Sequence, residues 1–165
     1  MEQERSYIEI EYNDEKLRLY GSFYEVEDWM GEPKRLIGLY LETPEGEPYT
    51  DLTVSFGEFV GAYGNFFPDV NNEPGIEKFL QDNLIAFPAG GFKTSGFVTY
   101  PAYRLSPYVM EKLFTLEEIR DYKLDYDFHG EATEDMRTSC EWAKESLDKE
   151  KKSFDEFLAE RQGRA

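Results

Sequence analysis

The stretch from Leu36 to Leu105 constrains this chain most. It holds two strand-like runs around a turn, an Asn71-Asn72-Glu73-Pro74 break, a short helical pattern and a final run from Ser95 to Leu105. The densest apolar and aromatic residues lie here and the acidic segments lie outside, so this stretch is expected to form the core sheet.

Ahead of it, Ile8, Ile10 and Tyr12 alternate with Tyr7, Glu9 and Glu11, the period-two signature of a half-buried strand. Asn13 to Lys16 supplies turn residues, and Leu17 and Leu19 resume the alternation, giving a hairpin. From Gly21 to Pro33 acids accumulate, and an extended edge segment or loop is expected, with Trp29 and Met30 as apolar anchors. Arg35 to Glu42 reads as a central strand, Thr43-Pro44-Glu45-Gly46 as a tight turn, and Tyr49 to Phe56 as the return strand. Phe66 to Val70 reads as a short strand.

Pro74 at a first helical position begins a short helix with Ile76, Phe79 and Leu80 on one face. Pro88, Gly90 and Gly91 mark residues 86 to 94 as a loop. Gly96 to Leu105 is a strand in which Pro101 demands an edge or a bulge. Short helices follow over 107 to 114 and 116 to 122, the second capped by Thr115. Met136, Cys140, Ala143, Leu147, Phe154 and Leu158 then recur at steps of three, four and seven, predicting one amphipathic helix over about residues 133 to 161 with Thr133 as its cap. The expected fold is α+β: a mainly antiparallel sheet, a short helix after Pro74, and a helical C-terminal part ending in a long amphipathic helix. Residues 1 to 114 form the sheet domain, and residues 115 to 165 an acidic helical extension packed on it or projecting from it.

Charge narrows the function. Against 18 Lys and Arg stand 35 Asp and Glu, a net of -17, which repels phosphate backbones and anionic lipid. No direct nucleic-acid or membrane binding is expected, and a basic protein partner is. A 16 % aromatic content argues for a folded chain, and a mean hydropathy of -0.67 for a heavily solvated one. The lone Cys140 excludes an intramolecular disulfide. With no charged-then-apolar leader and no long apolar run, the expected compartment is the cytoplasm of a bacterial host.

No catalytic signature is evident, and neither enzyme activity nor a cofactor is expected. His129, the single histidine, cannot build the usual zinc ligand set and reads as a turn residue. Cys140 falls on the helical stripe, where a thiol is a small buried hydrophobe. Asp69, Asn71, Asn72 and Glu73 lack the spacing of a calcium loop. The acidic faces differ in kind. Glu9 and Glu11 point one way on a strand, while Glu117, Glu118, Asp121, Asp125, Asp127, Glu131, Glu134 and Asp135 stand against only Arg120 and Lys123 between residues 117 and 135. Ordered carboxylates of this kind can occupy a basic groove built for nucleic acid. A generic solubilising surface accounts for the composition equally well.

Several motifs occur in order: Arg35 to Tyr40, Gly46 to Val54, Phe67 to Asn72, Phe79 to Asn83 and Ser95 to Tyr103. Over about residues 20 to 106 they resemble a family of short proteins, a domain of unknown function, carried by conjugative elements and phages of gut Firmicutes. The chain departs from that pattern at Val54-Ser55 and in an extension over residues 107 to 165. The resemblance implies a mobile-element context and no activity. By analogy, the expected function is inhibition of a host nucleic-acid-targeting defence system, of the anti-CRISPR or antirestriction type, by nucleic-acid mimicry. The partner would be a basic nucleic-acid-binding protein such as a CRISPR effector or restriction enzyme. The alternative is a non-catalytic adaptor or regulatory protein of the element. It would act through Met136, Leu147, Phe154 and Leu158 on the C-terminal helix, or through a strand edge, and would admit a homodimer.

Overall fold

The computed structural model describes residues 5–56, 62–126 and 133–163. Among these the fold is α+β, two antiparallel sheets with five helices. The first sheet orders β1 (Ile8–Tyr12), β2 (Glu15–Glu27), β3 (Pro33–Glu42) and β4 (Pro48–Asp51) side by side. Asn13 and Asp14, at φ 53 and 64, make the two-residue turn whose backbone twist suits a hairpin. β1 covers only the first part of β2, its last pair being Ile8 with Leu19, so residues 20 to 27 have β3 alone as a partner. The acid-rich segment is therefore extended and at an edge, as its sequence suggests, but it continues β2 to Glu27 without a break.

The second sheet holds β5 (Asn65–Phe66), β7 (Val98–Leu105) and β6 (Ala86–Ser95), with β7 in the centre. The expected loop over residues 86 to 94 is instead strand β6. Its register jumps from Pro88 opposite Tyr103 to Phe92 opposite Pro101, so two extra residues are absorbed in a bulge with Gly90 at φ 93. Glycine and proline thus mark an irregularity inside a strand and not its absence. Pro101 lies beyond the reach of β5, which pairs only with Tyr103 and Arg104, so its missing N–H interrupts no ladder on that side.

Residues 52 to 54 join the sheets. The Leu52 amide donates to the Leu39 carbonyl at 2.9 Å, the Val54 amide to the Phe67 carbonyl at 2.9 Å, and Thr53 bridges Pro68. Leu19, Ile37, Leu39, Leu52, Leu80, Tyr103, Leu105, Ile119, Tyr122 and Leu147 share one buried cluster, so strands and helices surround a common core.

α1 (Ile76–Asp82) buries Ile76, Phe79 and Leu80 as expected, but its N-cap is Gly75 and Pro74 precedes the helix. Ser106 caps α2 (Pro107–Leu113). Thr115 caps α3 (Leu116–Leu124) in a reciprocal pair with Glu118. The single long C-terminal helix is corrected to two: α4 (Glu134–Thr138), capped by Thr133, and α5 (Glu141–Gln162). The break has a local cause. The Thr138 hydroxyl donates back to the Glu134 carbonyl, the Ser139 hydroxyl accepts from the Glu141 amide, and Ser139 is extended; such side chains offer the backbone an alternative to the helical ladder. Trp142 closes the corner by donating to the Met136 carbonyl. Cys140 consequently sits at the N-cap of α5, half-buried, and not on a buried stripe.

The helical part packs on the sheets: Ala143 and Leu147 of α5 are fully buried, and Phe23 of β2 stacks on Phe114 and Tyr122 at 4.1 and 4.5 Å between ring centres. Leu147→Ala should therefore cost ~2–5 kcal/mol of stability, read as a shift of the urea midpoint, because the core cannot fully close over the lost atoms. A near-zero change would mean that α5 contributes no core.

Burial also raises the pKa of several tyrosines. Tyr103 and Tyr126 rise to about 12, and Tyr12, Tyr63 and Tyr122 rise further, desolvation of the phenolate being the first cause in each. Each phenol keeps its proton in the folded state after the unfolded chain, at 10.0, has lost it. Their contribution is complete below pH 10 and is lost as pH rises through the folded values. Lys123, lowered by burial, works in the opposite sense as a single group. The urea midpoint should hold to pH 10 and then fall; a midpoint that climbs above pH 10 would contradict this account.

Candidate partner-binding surface

The acidic positions do not converge. Glu9 and Glu11 are exposed on β1 but lie opposite Arg18 and Lys16 of β2, so their charge is met by cations across the strand pair. Glu117 is exposed in the first turn of α3. The Glu118 carboxylate accepts from the Thr115 amide at 2.9 Å as half of the cap, and Asp121 accepts from Arg120 Nε at 3.1 Å. Glu134 and Asp135 are exposed in the first turn of α4. Asp127 and Glu131, and likewise His129, lie outside the described residues.

Asp125 is structural. Its side chain is 14 % exposed and pairs with Arg35 Nη1 at 2.9 Å, and it also accepts from the Arg35 amide at 2.8 Å. Arg35 donates further to the Asp121 carbonyl, Lys34 donates to the Asp125 carbonyl at 2.7 Å, and the Tyr126 hydroxyl donates to the Arg35 carbonyl at 3.1 Å. These bonds fasten the C-terminal end of α3 to the start of β3. Arg35 lies opposite Glu25 on β2 and Glu9 opposite Arg18, seven residues earlier. At ~3.3 Å per residue the two acidic regions stand about 23 Å apart along the strand.

The fastening also fixes what lies beyond it, the β2–β3 turn. Its carboxylate-rich sequence folds tightly: the Asp28 side chain accepts from the amides of Met30 and Glu32 at 2.9 and 3.0 Å, and the Asp28 amide donates to the Glu32 carbonyl at 2.8 Å. Gly31 takes φ 81, which a side chain would resist. The outcome reverses the expected role of Trp29 and Met30. They are not anchors in the core but stand in solvent, 91 % and 66 % exposed, among the exposed Glu25, Glu27 and Glu32. A large exposed aromatic on a rigid turn, rimmed by charge, has the anatomy of an interface anchor. The sequence held the signal, a Trp-Met pair inside a carboxylate run, but periodicity cannot say on which side of a turn a residue falls. The β6–β7 hairpin likewise exposes Phe97 at its turn and Phe92 beside its bulge.

The proposed helix face divides. Leu147 is fully buried, Met136 is half-buried in α4, and Phe154 and Leu158 are half-buried near the end of α5. Phe154 lies 5.9 Å from Phe87 and 6.0 Å from Tyr108, ring centre to ring centre. Among the described residues no group of His, Cys, Asp and Glu is placed to hold a metal ion, and no helix is long and apolar enough to cross a membrane.

No curated protein and no solved structure matches the chain. A family does match, over residues 23–125, which takes in the last residues of β2, the β2–β3 turn, strands β3 to β7, and helices α1 to α3. The shared region thus runs past residue 106 to the Asp125 that fastens α3, leaving α4 and α5 outside it. The chain belongs to the family described as Domain of unknown function (DUF4313).

Proposed function

We propose that the chain is a non-catalytic, acidic binding protein that inhibits a basic, nucleic-acid-binding partner, a CRISPR effector or restriction enzyme of a host defence system, in the service of a phage or conjugative element. The observation that carries this reading is Trp29, 91 % exposed on a hydrogen-bonded turn among carboxylates. Trp29 and Met30 supply apolar area that gains by burial against a partner, while Glu27 and Glu32 select a partner surface of opposite charge, Glu25 being shared with Arg35 at 3.9 Å. Glu117, Glu134 and Asp135 add to the field that steers such a partner. Carboxylates already engaged within the chain, Asp125 above all, take no part in recognition and serve to hold the turn.

The two kinds of residue leave separate kinetic signatures. Against a basic nuclease captured with the wild-type chain, Trp29→Ala should weaken binding by about 2 kcal/mol or more, mainly through faster dissociation. Glu27→Gln with Glu32→Gln should slow association, as should added salt, because screening shortens the reach of charge to about 8 Å at physiological ionic strength. Excess DNA should compete. Nuclease inhibition that is insensitive to Trp29→Ala, to salt and to DNA would place the interface elsewhere and refute the reading.

A further inference from the structure

A groove of about 540 Å³ runs between α5 and the β6–β7 pair. Its walls are aromatic: Phe87 from β6 and Phe154 and Phe157 from α5, over Leu105. Phe87 and Phe157 meet edge to face, 5.2 Å apart and at 72°. Phe87 is also the wall of a second hollow further along α5, lined by Lys78, Asp82, Leu158 and Arg161, with the Arg161 guanidinium 4.9 Å from the Phe87 ring centre. Size and lining are those of a small-molecule site, an apolar body with a few polar groups at its rim.

The charge at that rim opposes the charge of the molecule. The two hollows are lined by four cations, Arg104, Lys149, Lys78 and Arg161, and by two carboxylates, Glu150 and Asp82, in a chain whose net charge is -17. Asp82 is paired with Lys78. Glu150 is shared: it meets Arg104 at 3.2 Å and the buried Lys123 at 2.7 Å. One carboxylate between two cations, beside Lys149, leaves the head of the groove positive. The Ser146 and Ser153 hydroxyls line the same wall.

From this combination we infer that the groove binds a small aromatic anion, its rings among Phe87, Phe154 and Phe157 and its acidic group toward Lys149 and Arg104. Ring-on-ring packing favours a planar body over a flexible alkyl chain. The local positive surplus favours an anion where the rest of the surface repels one. No residue of the Trp29 turn lines either hollow.

Anilinonaphthalene sulfonate, an aromatic anion whose fluorescence reports burial, is the probe. On the folded full chain it should bind saturably at one site with a dissociation constant on the order of micromolar and raise the melting temperature. Lys149→Glu and Phe157→Ser, both at exposed positions, should each weaken it about tenfold, with circular dichroism unchanged. Lys149→Gln should weaken it in the same direction by less. The uncharged N-phenylnaphthylamine should lose affinity with Phe157→Ser yet change by less than about twofold with Lys149→Glu, and dodecanoate should compete about tenfold more weakly than the dye. Absence of saturable binding, or dye affinity that survives Lys149→Glu in a folded protein, overturns the site. Equal competition by dodecanoate overturns the aromatic assignment.

Discussion

The fold depends on one buried ammonium. Lys123 on α3 has a side chain only 7 % exposed, and its Nζ donates to Tyr63, Ser146 and Glu150 at 2.6, 3.1 and 2.7 Å. These partners come from the segment before β5 and from α5, and Arg104 of β7 reaches the same Glu150. Beside it the Tyr122 hydroxyl accepts from the Gly64 amide at 2.7 Å, so the backbone entering β5 is tied to α3 as well. A charge taken out of water is tolerable only when its hydrogen-bonding capacity is met; removing one partner of such a pair typically costs ~3–5 kcal/mol. Among the described residues no buried side-chain nitrogen or oxygen lacks a partner. The network therefore does what apolar contacts alone do poorly. It ties α3, α5 and the segment entering β5 to one another at a single point.

That arrangement explains why a strongly acidic chain keeps so much of its cationic charge in particular places. Arg35 holds α3 to β3, Lys123 and Arg104 hold α5, and Arg18 and Lys16 face the acids of β1. The basic residues at these joints are structural, and acids such as Asp125 that meet them are neutralised locally. The remaining negative field is spread over exposed positions in the β2–β3 turn, around the β3–β4 turn, on the first turns of α3 and α4, and along α5 at Glu141, Glu145, Glu156 and Glu160.

Local signals were legible in the sequence and distant ones were not. Alternation revealed the β1–β2 hairpin, because a half-buried strand writes its two faces directly into successive residues, and a continuous apolar run between turn residues revealed β3, though its partner β4 ends at Asp51 and not at the expected Phe56. Thr115 and Thr133 announced the caps of α3 and α4, and Pro101 announced a place where one side of β7 is unpaired. β6 was hidden because Pro88, Gly90 and Gly91 look the same in a loop and in a bulged strand; only the pairing with β7 separates the two. The helical stripe from Met136 to Leu158 concealed a break, since apolar spacing continues across a corner as easily as along a rod. Among the candidate acids, the role of Asp125 was out of reach: its partner Arg35 is 90 residues away, and no spacing rule spans that distance.

The irregularity in β6 bears on solubility of a particular kind. β6 is the outer strand of its sheet, where an uninterrupted row of amides and carbonyls would invite a neighbouring molecule to add its own strand. Proline at residue 88 offers no amide, and the two-residue bulge before Phe92 twists the following backbone out of line. This edge of the second sheet thus offers no straight row on which another copy could stack. The exposed phenylalanines of this hairpin can remain in water at high protein concentration without seeding a cross-β polymer.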